Sequence, residues 1–287
     1  MLSLVFVALF IMFSWGVGDF FLAKLSKKNS PYLVNFWFEI FQTIFFGIAY
    51  FVLFFPSGFP LDYLWLLIVM PILSVIAFVC FLKGFEVGKV SLIAPITSAY
   101  GILTMILSLI FLGETLRPLQ YVGIALSTLG LLLTAMNISE LRSLRLRSEV
   151  AGLKFAIIAF VCWGINFTLF SVAVRVSNWV TPFFFYTPII VLLSWMFWMK
   201  NKEKGSSLSA PLPLLAGIAL IVVIIQAAFM LYSYSLSAFP SALLAPISAA
   251  YPGLTILLAH VFMKDKISLV QYFGIFFILC GLIIASF

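Results

Sequence analysis

The sequence predicts an all-α membrane protein of ten transmembrane helices, built as two inverted five-helix repeats, and three observations carry that prediction. The first is composition: 64% of the 287 residues are hydrophobic, only 9% are charged and 33 are phenylalanine, whereas roughly a quarter of a soluble domain is charged. The second is duplication, because residues 94–130 recur at a constant offset of 151 as residues 245–281. Ala94-Pro95-Ile96 returns as Ala245-Pro246-Ile247, Tyr100 as Tyr251, Thr104 as Thr255, Gln120-Tyr121 as Gln271-Tyr272, Gly123 as Gly274 and Gly130 as Gly281. The third is parity. An odd number of spans in each half makes the second half enter the bilayer from the opposite side, and duplicated apolar chains of this kind are the ground plan of secondary transporters, with the substrate site between the halves.

The elements follow from cutting the chain at its charges, prolines and glycines, which leaves apolar segments of about the 20 residues a span requires. They fall at 2–24, 31–55, 62–83, 90–112 and 118–138 in the first half, and at 152–174, 179–199, 211–235, 240–263 and 267–286 in the second. Residues 1–138 and 152–287 are thus the two repeats. The polar stretch at 139–151, containing SELRSLRLRSEV, is expected to be a basic linker between them. Trp15-Gly16 and Trp163-Gly164 mark the opening helix of each half. The first apolar segment starts without a basic leader and is expected to be a retained span.

Basic residues report orientation. The loops after spans 1, 3, 5, 7 and 9 are expected to hold Lys24, Lys27, Lys28, Lys83, Lys89, Arg142, Arg145, Arg147, Lys154, Lys200, Lys202, Lys204, Lys264 and Lys266, against only Arg117 and Arg175 on the other face. Lysine and arginine collect on the cytoplasmic side, so this bias places those loops inside and both termini outside. The same distribution accounts for the formal charge of +7 without a nucleic-acid partner. Cys80, Cys162 and Cys280 stand singly in apolar segments, with neither metal-ligand nor redox spacing.

These residues resemble the EamA-type transporters of the drug/metabolite transporter (DMT) superfamily along nearly the whole chain. The resemblance rests on Ala94-Pro95, Leu112-Gly113-Glu114, Gln120, Gly123 and Gly130, on the Trp-Gly pair that opens each half, and on Trp15-Gly16-Val17-Gly18-Asp19-Phe20. The second copy departs from it with Lys264-Asp265 in place of Gly113-Glu114. The resemblance implies ten helices in two inverted repeats around a central cavity and the movement of small organic metabolites, often export, in a prokaryotic inner membrane. It also implies termini in the cytoplasm, opposite to the charge count.

Asp19 is the sharpest candidate site residue, since a carboxylate within a span costs at least about 2.5–3.5 kcal/mol on insertion scales and needs a partner. Its place in the first span allows either exchange of a proton for a cationic substrate group or a structural pair with Lys24, Lys27 or Lys83. Glu39 falls in the same half of the membrane, one span away. Two carboxyl groups at similar depth repel unless one is protonated or a cation lies between them, the arrangement of a proton or cation site; Glu39 could instead snorkel to the interface. Pro95 and Pro246 free backbone carbonyls at depth and are candidate helix-break or gating positions. Thr97, Ser98 and Tyr100, with Ser248 and Tyr251, follow within a turn or two as candidate cavity lining, or as hydroxyls that rebond the kink. Trp15 and Trp163 offer rings for cation–π contact. Asn166 and Gln226 are intramembrane polar groups suited to substrate or to interhelical bonding.

Gly123 and Gly130, like Gly274 and Gly281, are spaced for close helix packing, and the single histidine, His260, belongs near the end of its span at the interface. The chain carries no His-Glu-x-x-His, Gly-x-Ser-x-Gly, Cys-x-x-Cys or phosphate-loop pattern, which argues against an enzyme, a metal or cofactor site, and ATP-driven transport. A receptor or scaffold would need a sizeable exposed domain. The expectation is therefore a secondary transporter for an amino acid or organic amine, working by alternating access as a proton-coupled exporter. A uniporter or exchanger of an anionic or neutral metabolite, or a channel, is the alternative. The expected partners are the lipid bilayer, the substrate and protons, with the chain acting as a monomer or homodimer.

Overall fold

The computed structural model describes residues 4–53, 58–88, 90–135, 147–201, 207–263 and 268–287. They form helices α1 (Leu4–Ser26), α2 (Pro31–Leu53), α3 (Leu66–Val87), α4 (Val90–Ser98), α5 (Tyr100–Phe111) and α6 (Pro118–Ala135). After the middle of the chain come α7 (Arg147–Val176), α8 (Thr181–Asn201), α9 (Leu212–Ser235), α10 (Ser241–Ser248), α11 (Pro252–Met263) and α12 (Leu269–Ala285). Eight stretches are long and apolar enough to cross a bilayer, and Pro118–Thr134 and Leu269–Ala285 are shorter apolar helices. Large side chains such as Phe6, Phe13, Ile44, Ile48, Val52, Ile110 and Leu220 are exposed on the outside of the bundle. In a molecule whose inside is also apolar, that surface is suited to lipid.

Proline sets several helix starts, where its missing N–H costs nothing: Pro31, Pro118 and Pro252 open helices, and Pro211 and Pro240 stand just before α9 and α10. The repeated glutamine is a cap. Gln271 Oε1 accepts from Ser268 N at 3.0 Å while Ser268 Oγ accepts from Gln271 N at 3.3 Å, a capping box. Gln120 Oε1 likewise accepts from Arg117 N at 2.9 Å.

The structure corrects the expected elements in four places. The fourth and ninth spans are each broken in two, at Ala99 and at Ala249–Tyr251, about one turn after Pro95 and Pro246, which lie inside α4 and α10; in the ninth, Pro252 has no N–H to carry the helix on. The third helix begins at Leu66, after a short 3-10 turn at Leu61–Tyr63, and runs on to Val87, so Lys83 is helical and its ammonium lies 4.7 Å from the centre of the Tyr32 ring. Helix α7 starts at Arg147 and absorbs the end of the expected linker and Lys154. Residues 136–146 of that linker lie outside the described residues, as do Lys89, Lys202, Lys204, Lys264, Asp265 and Lys266.

The halves pack symmetrically. Helix α1 packs on α9 and α11, and α7, its equivalent, packs on α3 and α5; α2 packs on α8, and α6 on α12. The α6–α12 pair shows the relative direction. Ser127 Oγ donates to Ile278 O, Gln271 Nε2 to Thr134 O at 3.0 Å, and an Arg117 guanidinium nitrogen to Phe287 O at 3.0 Å. Numbers that rise along α6 meet numbers that fall along α12, so these equivalent helices are antiparallel, consistent with inverted repeats. Their glycines permit the approach: a Cβ on Gly130 would lie 2.5 Å from Gly274 O, and one on Gly123 would lie 2.6 Å from Gly281 O.

A matching hydrogen bond ties each broken helix to the other half. Thr104 Oγ1 donates to Gly164 O at 3.1 Å, and its counterpart Thr255 Oγ1 donates to Gly16 O at 3.3 Å. Both bonds lie at the Trp-Gly pairs, which places the tryptophans beside the breaks.

Candidate functional site

A cavity of about 110 Å³ lies between the halves. On α1, Trp15, Asp19 and Leu22 follow the i, i+4, i+7 spacing of one helix face and all line it. Helix α2 contributes Phe38, Glu39 and Gln42, α3 contributes Ser74, Phe78 and Phe81, α7 contributes Trp163 and Phe167, and α9 contributes Ile225, Gln226 and Phe229. Tyr186 enters from α8. Tyr100 and Tyr251, each just after a break, complete the wall. The proline breaks thus place a phenol where a continuous helix would place the next turn.

The aromatic wall repeats across the two halves. Trp15 meets Tyr251 at 5.8 Å between ring centres, and Trp163 meets Tyr100 at 5.9 Å, both near edge-to-face. Each opening tryptophan therefore packs on the tyrosine that follows the other half's proline. Phe167 fills the space between, 4.5 Å from Tyr100 and 6.0 Å from Trp15. The carboxylates break the symmetry, because the position in the second half that corresponds to Asp19 through the Trp-Gly pair is Phe167.

Asp19 and Glu39 are the charged side chains in this wall, 6% and 2% exposed. The Tyr251 hydroxyl donates to Asp19, while Asp19 Oδ2 has no hydrogen-bond partner among the described residues. Glu39 is held differently. Gln42, one turn on, donates from Nε2 to Glu39 Oε2 at 2.8 Å, and Gln226 Nε2 of the other half donates to Gln42 Oε1. Gln226 Oε1 is left without a partner among the described residues. A buried acceptor without a partner carries a desolvation penalty of about 1–3 kcal/mol, so a donor that reached both Asp19 Oδ2 and Gln226 Oε1 would relieve two such costs.

The structure brings Asp19, Glu39, Trp15, Trp163, Tyr100, Tyr251 and Gln226 of the sequence candidates to the cavity wall. It does not bring Thr97, Ser98, Ser248 or Asn166 there. Thr97 Oγ1 donates to Ile93 O at 2.9 Å and Ala94 O at 3.0 Å, and Ser98 Oγ donates to Pro95 O at 3.0 Å. These hydroxyls rebond the backbone at the proline kink. Ser248 and Asn166 are buried in helix contacts instead. Pro95 and Pro246 stand behind the wall, at the breaks. Sequence reading missed Gln42, for which the signal was its i+3 spacing from Glu39 on one helix face. It also missed Tyr186, Ser74 and the wall phenylalanines, which 33 phenylalanines conceal.

A second ionic site closes the opposite end. Gly113 adopts a left-handed φ of 63° after α5, and the turn directs Glu114 to the start of α10. Its carboxylate accepts from Ser241 N at 3.0 Å, Ala242 N at 2.7 Å and the Ser241 hydroxyl, and pairs with Arg175 from the end of α7. An anion at a helix N-terminus satisfies orphan N–H groups and complements the dipole. No cluster of three or more His, Cys, Asp or Glu suited to a metal occurs among the described residues.

A solved crystal structure of another protein superposes on the fold with a TM-score of 0.76, covering 99% of this chain and 98% of that one at 17% identity. At that identity the likeness shows the fold alone. No curated protein matches the sequence. The model of the EamA-like transporter family matches residues 2–136 and again residues 150–287, so this multi-pass integral membrane protein belongs to the EamA family of the drug/metabolite transporter superfamily, a family of transporters and not of enzymes.

Proposed function

We propose that the protein is a secondary active transporter for a small organic amine, with an amino acid as the wider class, and that it exports its substrate in exchange for protons by alternating access. The observation that carries this reading is the cavity between the halves, where two carboxyl groups stand within an aromatic wall that contributes no cationic side chain. Carboxylate and ring faces together are suited to an ammonium group. A carboxyl group that binds either a proton or an ammonium, but not both, couples their movements. Asp19 is the proposed exchange site, since its Oδ2 is unpartnered. The volume is below the roughly 300–1,000 Å³ of drug-sized sites, which favours a small metabolite.

The moving parts of the cycle are the broken helices α4–α5 and α10–α11, whose kinks lie at the cavity and which each bond to the other half. Substrate movement follows the ordinary logic of inverted repeats that rock about a fixed site.

The test is transport by purified protein in liposomes, with and without a pH gradient, screening organic amines, amino acids, nucleosides and sugar phosphates. The reading expects gradient-driven movement of an amine and its loss in Asp19→Asn, with folding intact. Gradient-independent movement of an anion or a neutral solute, unchanged in Asp19→Asn, would make the protein an exchanger or uniporter and leave the carboxyl groups structural.

A further inference from the structure

The chain from Glu39 through Gln42 to Gln226 has a direction, and chemistry fixes it. A carboxylate only accepts hydrogen bonds, and an amide has one accepting and one donating end. With Glu39 ionised, Gln42 must turn its Nε2 to Glu39 Oε2, which presents its Oε1 to Gln226 Nε2; both bonds are formed in the structure. Gln226 spends one N–H on that bond and turns its carbonyl away from Gln42, and among the described residues that Oε1 is the atom without a partner. A protonated Glu39 is a donor. Its O–H can donate to Gln42 Oε1 once that amide turns over, Gln42 Nε2 then donates to Gln226 Oε1, and Gln226 is left presenting N–H groups to the cavity.

We propose that Glu39, Gln42 and Gln226 form a polarity relay in which a proton taken up by Glu39 from water reverses two amides, converting Gln226 from an acceptor of substrate N–H groups into a donor that repels them. The relay crosses from the first half to the second, so the charge on α2 is read out on α9. It deepens the amine–proton reading above and rests on it: Asp19 meets the positive charge of the substrate, while Gln226 selects for N–H donors and senses the proton. Gln226 is thus a specificity residue, and Gln42 a positioning residue that acts through it. A substrate with the same charge but no N–H is blind to the relay.

The probes that separate these effects are benzylamine and benzyltrimethylammonium, which share a ring and a charge but not the N–H donors. Their binding to the detergent-purified protein is measured by calorimetry from about pH 5 to about pH 9, with affinity expressed for the cationic form of each. Titratable groups on the helices packed against α2 are Asp19 and Lys24 on α1, Cys80, Lys83 and Glu86 on α3, Tyr186 and Lys200 on α8 and Tyr232 and Tyr234 on α9, with Tyr32 and Tyr50 on α2 itself. Both probes feel those charges as cations, but benzylamine alone also donates to Asp19, so the part of their ratio that belongs to the relay is the part that Glu39→Gln and Gln226→Leu remove.

The expected result is a preference for benzylamine that rises by about tenfold with pH, the worth of one hydrogen bond between a cation and a buried acceptor. The rise should be much reduced in Glu39→Gln and in Gln226→Leu, where only the N–H bond to Asp19 still separates the probes. A ratio that is flat in the wild type, or that rises as steeply in Glu39→Gln or Gln226→Leu, overturns the relay while leaving an amine site in place. Failure of both probes to bind would overturn the amine reading, and the relay with it.

Discussion

Carboxylates set this cavity apart from its mirror half, and Asp19 shows it most directly. Asp19 stands where the second half has Phe167, so the aromatic pairs Trp15–Tyr251 and Trp163–Tyr100 are shared by both halves but the charge is not. Residues of this kind were legible in the sequence, because an acid in an apolar span is costly enough to need a reason. The hydroxyls near the prolines were not. Thr97 and Ser98 have the spacing of a cavity wall and also that of backbone rebonding, and the choice depends on which carbonyl lies one turn back. Gly113 has a conformational reason for its identity, since its φ of 63° is strained for any residue with a Cβ. Gly113→Ala should lower stability by about 1–2 kcal/mol, measured by thermal unfolding in detergent, and should do so without a change in ligand binding. An unaltered melting temperature would show that the turn relaxes freely. Glu114→Ala should cost about 1 kcal/mol as a lost helix cap, read in the same assay.

At the scale of elements, the succession of long apolar helices follows from composition, while boundaries and breaks require packing. The fourth and ninth spans read as continuous apolar runs, yet each is two helices that break about one turn after a proline, with Thr104 or Thr255 beyond the break donating to a carbonyl of the other half. The repeated Gln120 and Gln271 were visible as a motif, and their capping role was not, since it requires the preceding backbone N–H in place. The glycine seam was legible in both respects. Gly274 faces Gly130 O at 2.7 Å and Thr134 N at 2.8 Å from where a Cβ would be. Gly274→Leu should therefore force α6 and α12 apart and destabilise the protein by about 1–3 kcal/mol. Wild-type thermal stability in that variant would mean that the two helices slide without cost.

At the scale of the whole molecule, the antiparallel α6–α12 pair and the matched contacts of α1 and α7 are consistent with the inversion that an odd number of spans per half predicts. The cavity is lined by residues part-way along α1, α2, α3, α7 and α9, between the lysine-rich face and a second face, where the Glu114–Arg175 pair and its bonds to α10 join the halves. Charge asymmetry predicts a cytoplasmic location for the first face. Lys27→Cys in cells should then react with impermeant maleimide only after the membrane is opened, and Arg117→Cys without opening; the reverse pattern would support cytoplasmic termini. Alternating access is the central claim, and a single cysteine at Ser74, on the cavity wall, tests it most directly. With Cys80, Cys162 and Cys280 replaced by serine or alanine, Ser74→Cys protein in oriented vesicles is exposed to a charged methanethiosulfonate reagent from one side or the other. The account predicts labelling from each side, with a saturating amine and a pH gradient shifting reactivity from one side towards the other in opposite senses. Equal labelling from both sides under every condition, as in a channel, or labelling from one side only, would contradict it.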